Sequence, residues 1–105
     1  MALTREFKDT IQARAQRDPA FRVGLLQEAV EAFLGGELEA GKTILRDYVN
    51  ATLGFDELAR VTHKKPESLM RMLSSKGNPR ADNLFDLLAK LQQREGVSLH
   101  VQAAE

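Results

Sequence analysis

The sequence predicts a single all-α domain, and three observations support this prediction. Apolar residues recur at helical spacing along most of the chain, glycine and proline fall between the periodic segments, and only one short stretch alternates apolar with polar residues. With 105 residues, 43% of them hydrophobic, the chain can bury one core. Cysteine is absent, and we find neither a signal-like segment nor a membrane-spanning run, so we expect a soluble, cytoplasmic protein.

Three helices are predicted in residues 1–53. The first ends near Arg17, and its apolar face repeats at Leu3, Phe7, Ile11 and Ala15. Asp18 then acts as an N-cap before Pro19, and the second helix runs to about residue 34. After two glycines, the third helix covers about residues 37–51. The predicted inward residues of the second and third helices are Phe21, Leu25, Ala29, Val30, Phe33, Leu38, Leu45, Tyr48, Val49 and Thr52.

Residues 54–95 are predicted to form two short helices and one longer helix. The short helices cover about residues 55–62 and 66–75, and the longer helix covers about residues 81–94. Leu84, Leu87, Leu88 and Leu91 face inward from the longer helix. Residues 96–105 form a strand and tail, because apolar and polar residues alternate over 97–101. Such a short C-terminal strand needs a partner strand, which a second copy or another protein would supply.

The two short helices fit a helix-turn-helix spanning residues 55–75. Leu58 and Val61 face inward from the first helix, and Ala59 lets the two helices approach closely. Leu69, Met72 and Leu73 face inward from the second helix. The turn requires one residue with a positive φ, which glycine adopts most easily. This sequence has His63 there, and histidine tolerates the left-handed region better than most residues.

The opposite face of the second helix is predicted to enter the major groove of DNA. Arg71 can form two parallel hydrogen bonds with a guanine, which is worth roughly 1–3 kcal/mol of discrimination between bases. Glu67 could accept from a cytosine amino group, and Met70 could contact a thymine methyl group. Ser74 lies on the same outer face as Glu67 and Arg71. The residues placed for phosphate contacts are Lys64, Lys65, Ser75 and Lys76.

The charge distribution agrees with this placement, although the net charge is zero. Residues 55–80 carry six basic and three acidic side chains, whereas residues 1–54 carry seven basic and eight acidic ones. Residues 81–105 carry two basic and four acidic side chains. A neutral chain with one basic segment can dock on phosphates through that segment, with modest non-specific affinity.

Three motifs stand out in the second half of the chain: Glu57-Leu58-Ala59, Ser68-Leu69-x-x-x-Leu73-Ser74 and Gly77-Asn78-Pro79-Arg80, followed by a leucine-rich helix and Gly96-Val97-Ser98-Leu99-His100-Val101. Through these motifs, residues 18–101 resemble the addiction-module antidote proteins, which are HigA-like antitoxins with a lambda-repressor-type (Xre) helix-turn-helix. Upstream, Leu26-x-Glu28-Ala29, Gly36, Leu45-Arg46-Asp47 and Gly54 also look like that family. His63 and Lys64 replace the glycine and the apolar residue that are usual at the turn.

The resemblance implies a lambda-repressor-like fold and an antitoxin that represses its own operon as a homodimer. It also implies that the protein neutralises a RelE-like, RNA-cleaving toxin encoded beside it. The partners we expect are therefore double-stranded operator DNA, a second copy of the chain and that toxin. The first 17 residues lie outside the best-matching stretch, and no role is assigned to them.

Two other readings stay open: a stand-alone regulator without a toxin, and a protein-interaction module that has lost DNA binding. We expect no enzymatic activity and no cofactor or metal.

Residues 36–43 match the phosphate-binding P-loop pattern, but a helix precedes them and Glu37 and Glu39 would repel a phosphate, so we expect an ordinary helix start with Lys42 exposed. His63 and His100 are too few ligands for a zinc site. The five phenylalanines, Phe7, Phe21, Phe33, Phe55 and Phe85, are expected in the core rather than as platforms for bases.

Overall fold

Six α-helices follow one another in the computed structural model, which describes residues 5–105 and, within them, all side chains except those of Arg5, Lys8 and Asp9. The helices are α1 (Arg5–Arg17), α2 (Pro19–Leu34), α3 (Leu38–Ala51), α4 (Gly54–Thr62), α5 (Pro66–Met72) and α6 (Ala81–Glu95). The all-α prediction is confirmed over this range. The predicted starts of α2 to α6 agree with the structure to within one residue. Leu3 lies outside the described residues.

The junction between α1 and α2 forms as its sequence indicates. The Asp18 side chain accepts a hydrogen bond from the Phe21 N–H at 3.2 Å, and Pro19 occupies the first turn of α2. The carboxylate thereby satisfies one of the amide groups that a helix start leaves without a partner. At the other end, Gly36 adopts a φ of 79°, which turns the chain from α2 into α3.

Helices α2 and α3 pack against each other through a side-chain ring. A Cβ added at Gly41 would overlap the ring of Phe33, so glycine at this position lets that ring lie directly against the backbone of α3. The other helices complete one hydrophobic core, and the Cα radius of gyration of 13.3 Å is the value expected for a packed domain of this length. The buried core residues include Leu26, Ala29, Leu45, Tyr48, Val49, Phe55, Leu58, Leu69, Leu73, Leu87 and Leu91.

Three apolar residues that were expected inside are exposed. Phe7 is 51% exposed, Leu38 37% and Phe85 67%, so their predicted core placement was wrong. Leu38 is the first residue of α3, and Phe7 belongs to the first turn of α1. Phe85 sits beside the buried stripe of α6 and lines an open groove of about 630 Å³ between α2, α6 and the C-terminal tail.

The predicted C-terminal strand does not form in the described chain. Residues 97–105 follow α6 without regular secondary structure, after Gly96 turns the backbone with a φ of 70°. Leu99 packs against the core, and its N–H donates to the Gln92 side chain at 2.8 Å. Only the first part of the alternating segment lies against the protein, since Val101 is 79% exposed, and period-two patterning alone does not distinguish such a segment from a paired strand.

A buried polar network joins α2, α3 and α6. The Tyr48 hydroxyl donates to the Glu95 carboxylate at 2.5 Å, and Arg22 donates to the same carboxylate from its Nε at 2.9 Å. The Arg22 Nη1 also donates to the Ala15 carbonyl oxygen at 2.6 Å, so this side chain reaches back to α1. Burial, followed by the hydrogen bond to Glu95, raises the pKa of the Tyr48 hydroxyl well above its ordinary value.

We expect this raised pKa to make the protein lose stability at high pH. Below about pH 10 the hydroxyl is protonated in both the folded and the unfolded chain, so its contribution is fully present. Above that pH only the unfolded chain releases the proton, and unfolding becomes easier by up to about 1.4 kcal/mol per pH unit.

Urea unfolding checks this expectation: the free energy of unfolding of the wild type and of Tyr48→Phe is measured at several pH values from about 8 to about 11. Other groups titrate in the same pH range, so the informative quantity is the difference in unfolding free energy between the two proteins at each pH. Since Tyr48 is the only tyrosine and tryptophan is absent, phenolate absorbance reports directly on this residue. Phenolate formation in the fully folded protein near its ordinary pKa would contradict the expectation.

Candidate nucleic-acid interface

Helices α4 and α5 are joined by a tight turn built from His63, Lys64 and Lys65. His63 has φ 57° and ψ 37°, the left-handed conformation that the sequence predicted at this position. The Ala59 carbonyl oxygen accepts from the Lys64 N–H at 3.1 Å, which closes the end of α4. The Thr62 hydroxyl donates to the Leu58 carbonyl oxygen at 2.7 Å. Both bonds hold the end of α4, directly before α5 begins.

The inward faces of both helices agree with the prediction. Leu58, Leu69 and Leu73 are buried, and Ala59 is only 6% exposed. Val61 and Met72 are half-buried and pack against the same core. The side chains on the other side of α5 are consequently left facing solvent.

Six of the eight predicted contact residues are exposed: Lys65, Glu67, Met70, Arg71, Ser75 and Lys76. Lys64 and Ser74 are half-buried. The Ser74 hydroxyl donates to the Arg71 carbonyl oxygen at 2.7 Å and therefore serves the local turn. Helix α5 ends at Met72 rather than at residue 75, so Ser74, Ser75 and Lys76 belong to the connection between α5 and α6.

The basic side chains of residues 55–80 divide into paired and unpaired groups. Arg60 forms an ion pair with Glu57 on α4, and this hydrogen bond lowers the pKa of the Glu57 carboxyl group. Arg80 pairs with Asp82 at 3.3 Å. Among the described residues, Lys64, Lys65, Arg71 and Lys76 have no carboxylate partner. The unpaired positive charge is thus concentrated on the turn, on α5 and directly after it.

The connection after α5 is held from behind by two cations of α3. The Lys42 ammonium donates to the carbonyl oxygens of Ser74 and Gly77 at 2.8 and 2.7 Å, and it pairs with Glu39 at 2.8 Å. The Arg46 guanidinium donates to the Leu73 carbonyl oxygen at 2.9 Å. The expectation that Lys42 is exposed was wrong, since it is only 1% exposed.

The buried contacts of Lys42, Arg46 and Glu95 were not predicted from the sequence, although the spacing around two of these residues indicates an inward position. Lys42 precedes Leu45 by three residues and Val49 by seven, which places it on the inward stripe of α3. Glu95 lies four residues after Leu91 and shares the inward face of α6. Charged residues at inward positions indicate buried polar partners, but helical spacing does not say where in the chain those partners are.

No group of three or more histidine, cysteine, aspartate or glutamate side chains that could hold a metal ion occurs in the described part of the chain. Over the same residues, no helix combines the length and the apolar character needed to cross a bilayer. No protein-family model matches the sequence, and comparison with curated proteins and with solved structures gives no match either.

Proposed function

We propose that α4 and α5 form a helix-turn-helix, and that the protein is a sequence-specific DNA-binding regulator of transcription. The observation that carries the proposal is the group of unpaired cations, Lys64, Lys65, Arg71 and Lys76, on the turn, on α5 and directly after it. In this proposal Arg71 reads a guanine in the major groove, while Met70 and Glu67 contact neighbouring base edges. The lysines and Ser75 bind phosphates and orient the protein on the duplex.

We further propose that the regulator is an antitoxin that binds its operator as a homodimer. Two copies would place their α5 helices roughly 34–36 Å apart, in successive major grooves. The surface proposed for the dimer contact comprises α6 and the segment after it, where Phe85 and Val101 are 67% and 79% exposed beside a groove lined by both apolar and polar side chains. The antitoxin role rests on the sequence resemblance described above. Finding a reading frame for a short basic protein beside the gene would favour this role over that of a stand-alone regulator.

Replacing Arg71 by alanine should lower affinity for the operator by about 5- to 150-fold while barely changing affinity for random DNA. The physical reason is that a guanidinium paired with a guanine contributes mainly to discrimination between bases. Fluorescence anisotropy with the DNA upstream of the gene, and with a scrambled duplex of equal length, measures both affinities at two salt concentrations.

Arg60→Ala is the matched control for this experiment, because Arg60 is also an exposed arginine but is already paired with Glu57. We expect it to change both affinities by less than about twofold, because the Glu57 carboxylate already offsets the charge of Arg60 in the wild type. When operator DNA at a concentration well above the dissociation constant is titrated with protein, binding should saturate at two chains per operator. Equal losses on both duplexes for Arg71→Ala would contradict base reading. Binding by the wild type that does not weaken with salt would contradict phosphate contacts altogether.

A further inference from the structure

We propose that Lys42 and Arg46 are positioning residues for DNA reading, which they serve by clamping the chain that leaves α5. This inference rests on the proposed function, and it assigns a role to residues that do not themselves face DNA. The clamp is defined by three hydrogen bonds from α3: Lys42 to the Ser74 and Gly77 carbonyl oxygens, and Arg46 to the Leu73 carbonyl oxygen.

The hydrogen-bonding capacity of Lys42 is fully used in this arrangement. An ammonium group has three donors, and here they meet the Ser74 oxygen, the Gly77 oxygen and the Glu39 carboxylate. Burying a charged group is unfavourable unless it is paired and hydrogen-bonded, and this one is both. Since the side chain is 1% exposed and its donors are occupied, Lys42 acts on any bound DNA only through the chain that it holds.

Helix α5 depends on such support because it is short. It has seven residues, and no side chain caps its N-terminus. Helices of this length are not stable by themselves in water, so tertiary contacts set their orientation. The inward leucines hold one face of α5, and the clamp holds the carbonyl groups at and after its C-terminus. Those carbonyl groups belong to the same short segment as Ser75 and Lys76, and the segment begins directly after Arg71 and Met72.

The consequence is that the clamp sets the depth and angle at which Arg71 meets a base. A pair of parallel hydrogen bonds is sensitive to small errors in position, whereas phosphate contacts made by flexible lysines are tolerant. Loosening the clamp should therefore lower specific binding much more than non-specific binding. The number of phosphate contacts, and with it the dependence of affinity on salt, should stay the same.

The test uses the full chain with Lys42→Met, which keeps the length of the side chain but removes its three donors. We expect operator affinity to fall by about tenfold, corresponding to most of one base contact, with a change below about twofold on scrambled DNA. The salt slope should match that of the wild type. Amide hydrogen exchange, followed by NMR without DNA, should show the Gly77 N–H exchanging faster relative to the amides of α6.

Two control variants separate positioning from stability and from the exposed ion pair. Leu26→Ala weakens the core at a buried residue of α2, and it should leave the ratio of the two affinities unchanged. Glu39→Gln removes the carboxylate charge beside Lys42 but keeps an oxygen acceptor there, so it should lower stability while leaving the ratio of the two affinities unchanged. If Lys42→Met does not fold, Arg46→Gln provides the same test at the Leu73 carbonyl group.

Each alternative outcome identifies what is wrong. An unchanged affinity ratio in a folded Lys42→Met or Arg46→Gln variant would overturn the positioning role. An equal fall on both duplexes with a shallower salt slope would also overturn it, because that is the behaviour of a direct phosphate contact. Unchanged exchange at Gly77 would overturn the clamp alone, whereas a wild type that binds neither duplex would overturn the proposed function.

Discussion

Replacing Glu95 by alanine is expected to lower the free energy of unfolding by about 3–5 kcal/mol, the usual consequence of breaking a buried ion pair on one side. The Glu95 side chain is 3% exposed and accepts hydrogen bonds from both Tyr48 and Arg22. Without the carboxylate, the Arg22 guanidinium loses its counter-charge and the Tyr48 hydroxyl loses its acceptor. The loss should fall in the lower half of that range, because Arg22 is 21% exposed and can recover some hydration.

Urea unfolding followed by helical circular dichroism measures this loss, with the unfolding free energy obtained by linear extrapolation. Glu28→Ala is a suitable control, because Glu28 is an exposed glutamate of α2. We expect that control to stay within about 0.5 kcal/mol of the wild type. A loss below about 1 kcal/mol for Glu95→Ala would mean that the network adds little beyond ordinary surface pairing.

The features that the sequence predicted correctly depend on residues that are close together in the sequence. The Asp18 cap needs only the residues that follow it, and the left-handed His63 is required by a three-residue turn. Leu69 and Leu73 lie four residues apart, so helical spacing alone places them on one face. The exposed position of Arg71 follows from the same geometry, because the other face of α5 is occupied.

The features that the sequence did not predict depend on distant partners. Lys42 binds carbonyl groups more than thirty residues away, and Glu95 binds Arg22 across more than seventy residues. Phe85 is as apolar as any core residue, yet its exposure depends on which helix happens to lie opposite. Hydrophobic periodicity shows which residues share a face of a helix, but whether another helix covers that face depends on the tertiary packing.

Gly77→Ala is expected to be the most damaging change near the candidate interface. A Cβ at this position would overlap the Arg71 carbonyl oxygen and would crowd the Met72 carbonyl oxygen. Both obstacles are backbone atoms, so no side-chain rotation can relieve them. The connection between α5 and α6 would have to move, which we expect to cost about 3 kcal/mol and to draw the Gly77 carbonyl group away from Lys42.

Comparison with Gly24→Ala distinguishes this steric effect from the general effect of adding a methyl group. Gly24 lies inside α2 with no atom close to the added Cβ, so alanine there should stabilise the protein by about 0.5–1 kcal/mol. Gly77 does not have a positive φ, unlike Gly36, Gly54 and Gly96, so its requirement for glycine comes from space and not from backbone conformation. Thermal unfolding should therefore move in opposite directions for the two variants. If Gly77→Ala unfolds at the wild-type temperature, the chain after α5 has room to shift and is not held rigidly behind Arg71 by steric contacts.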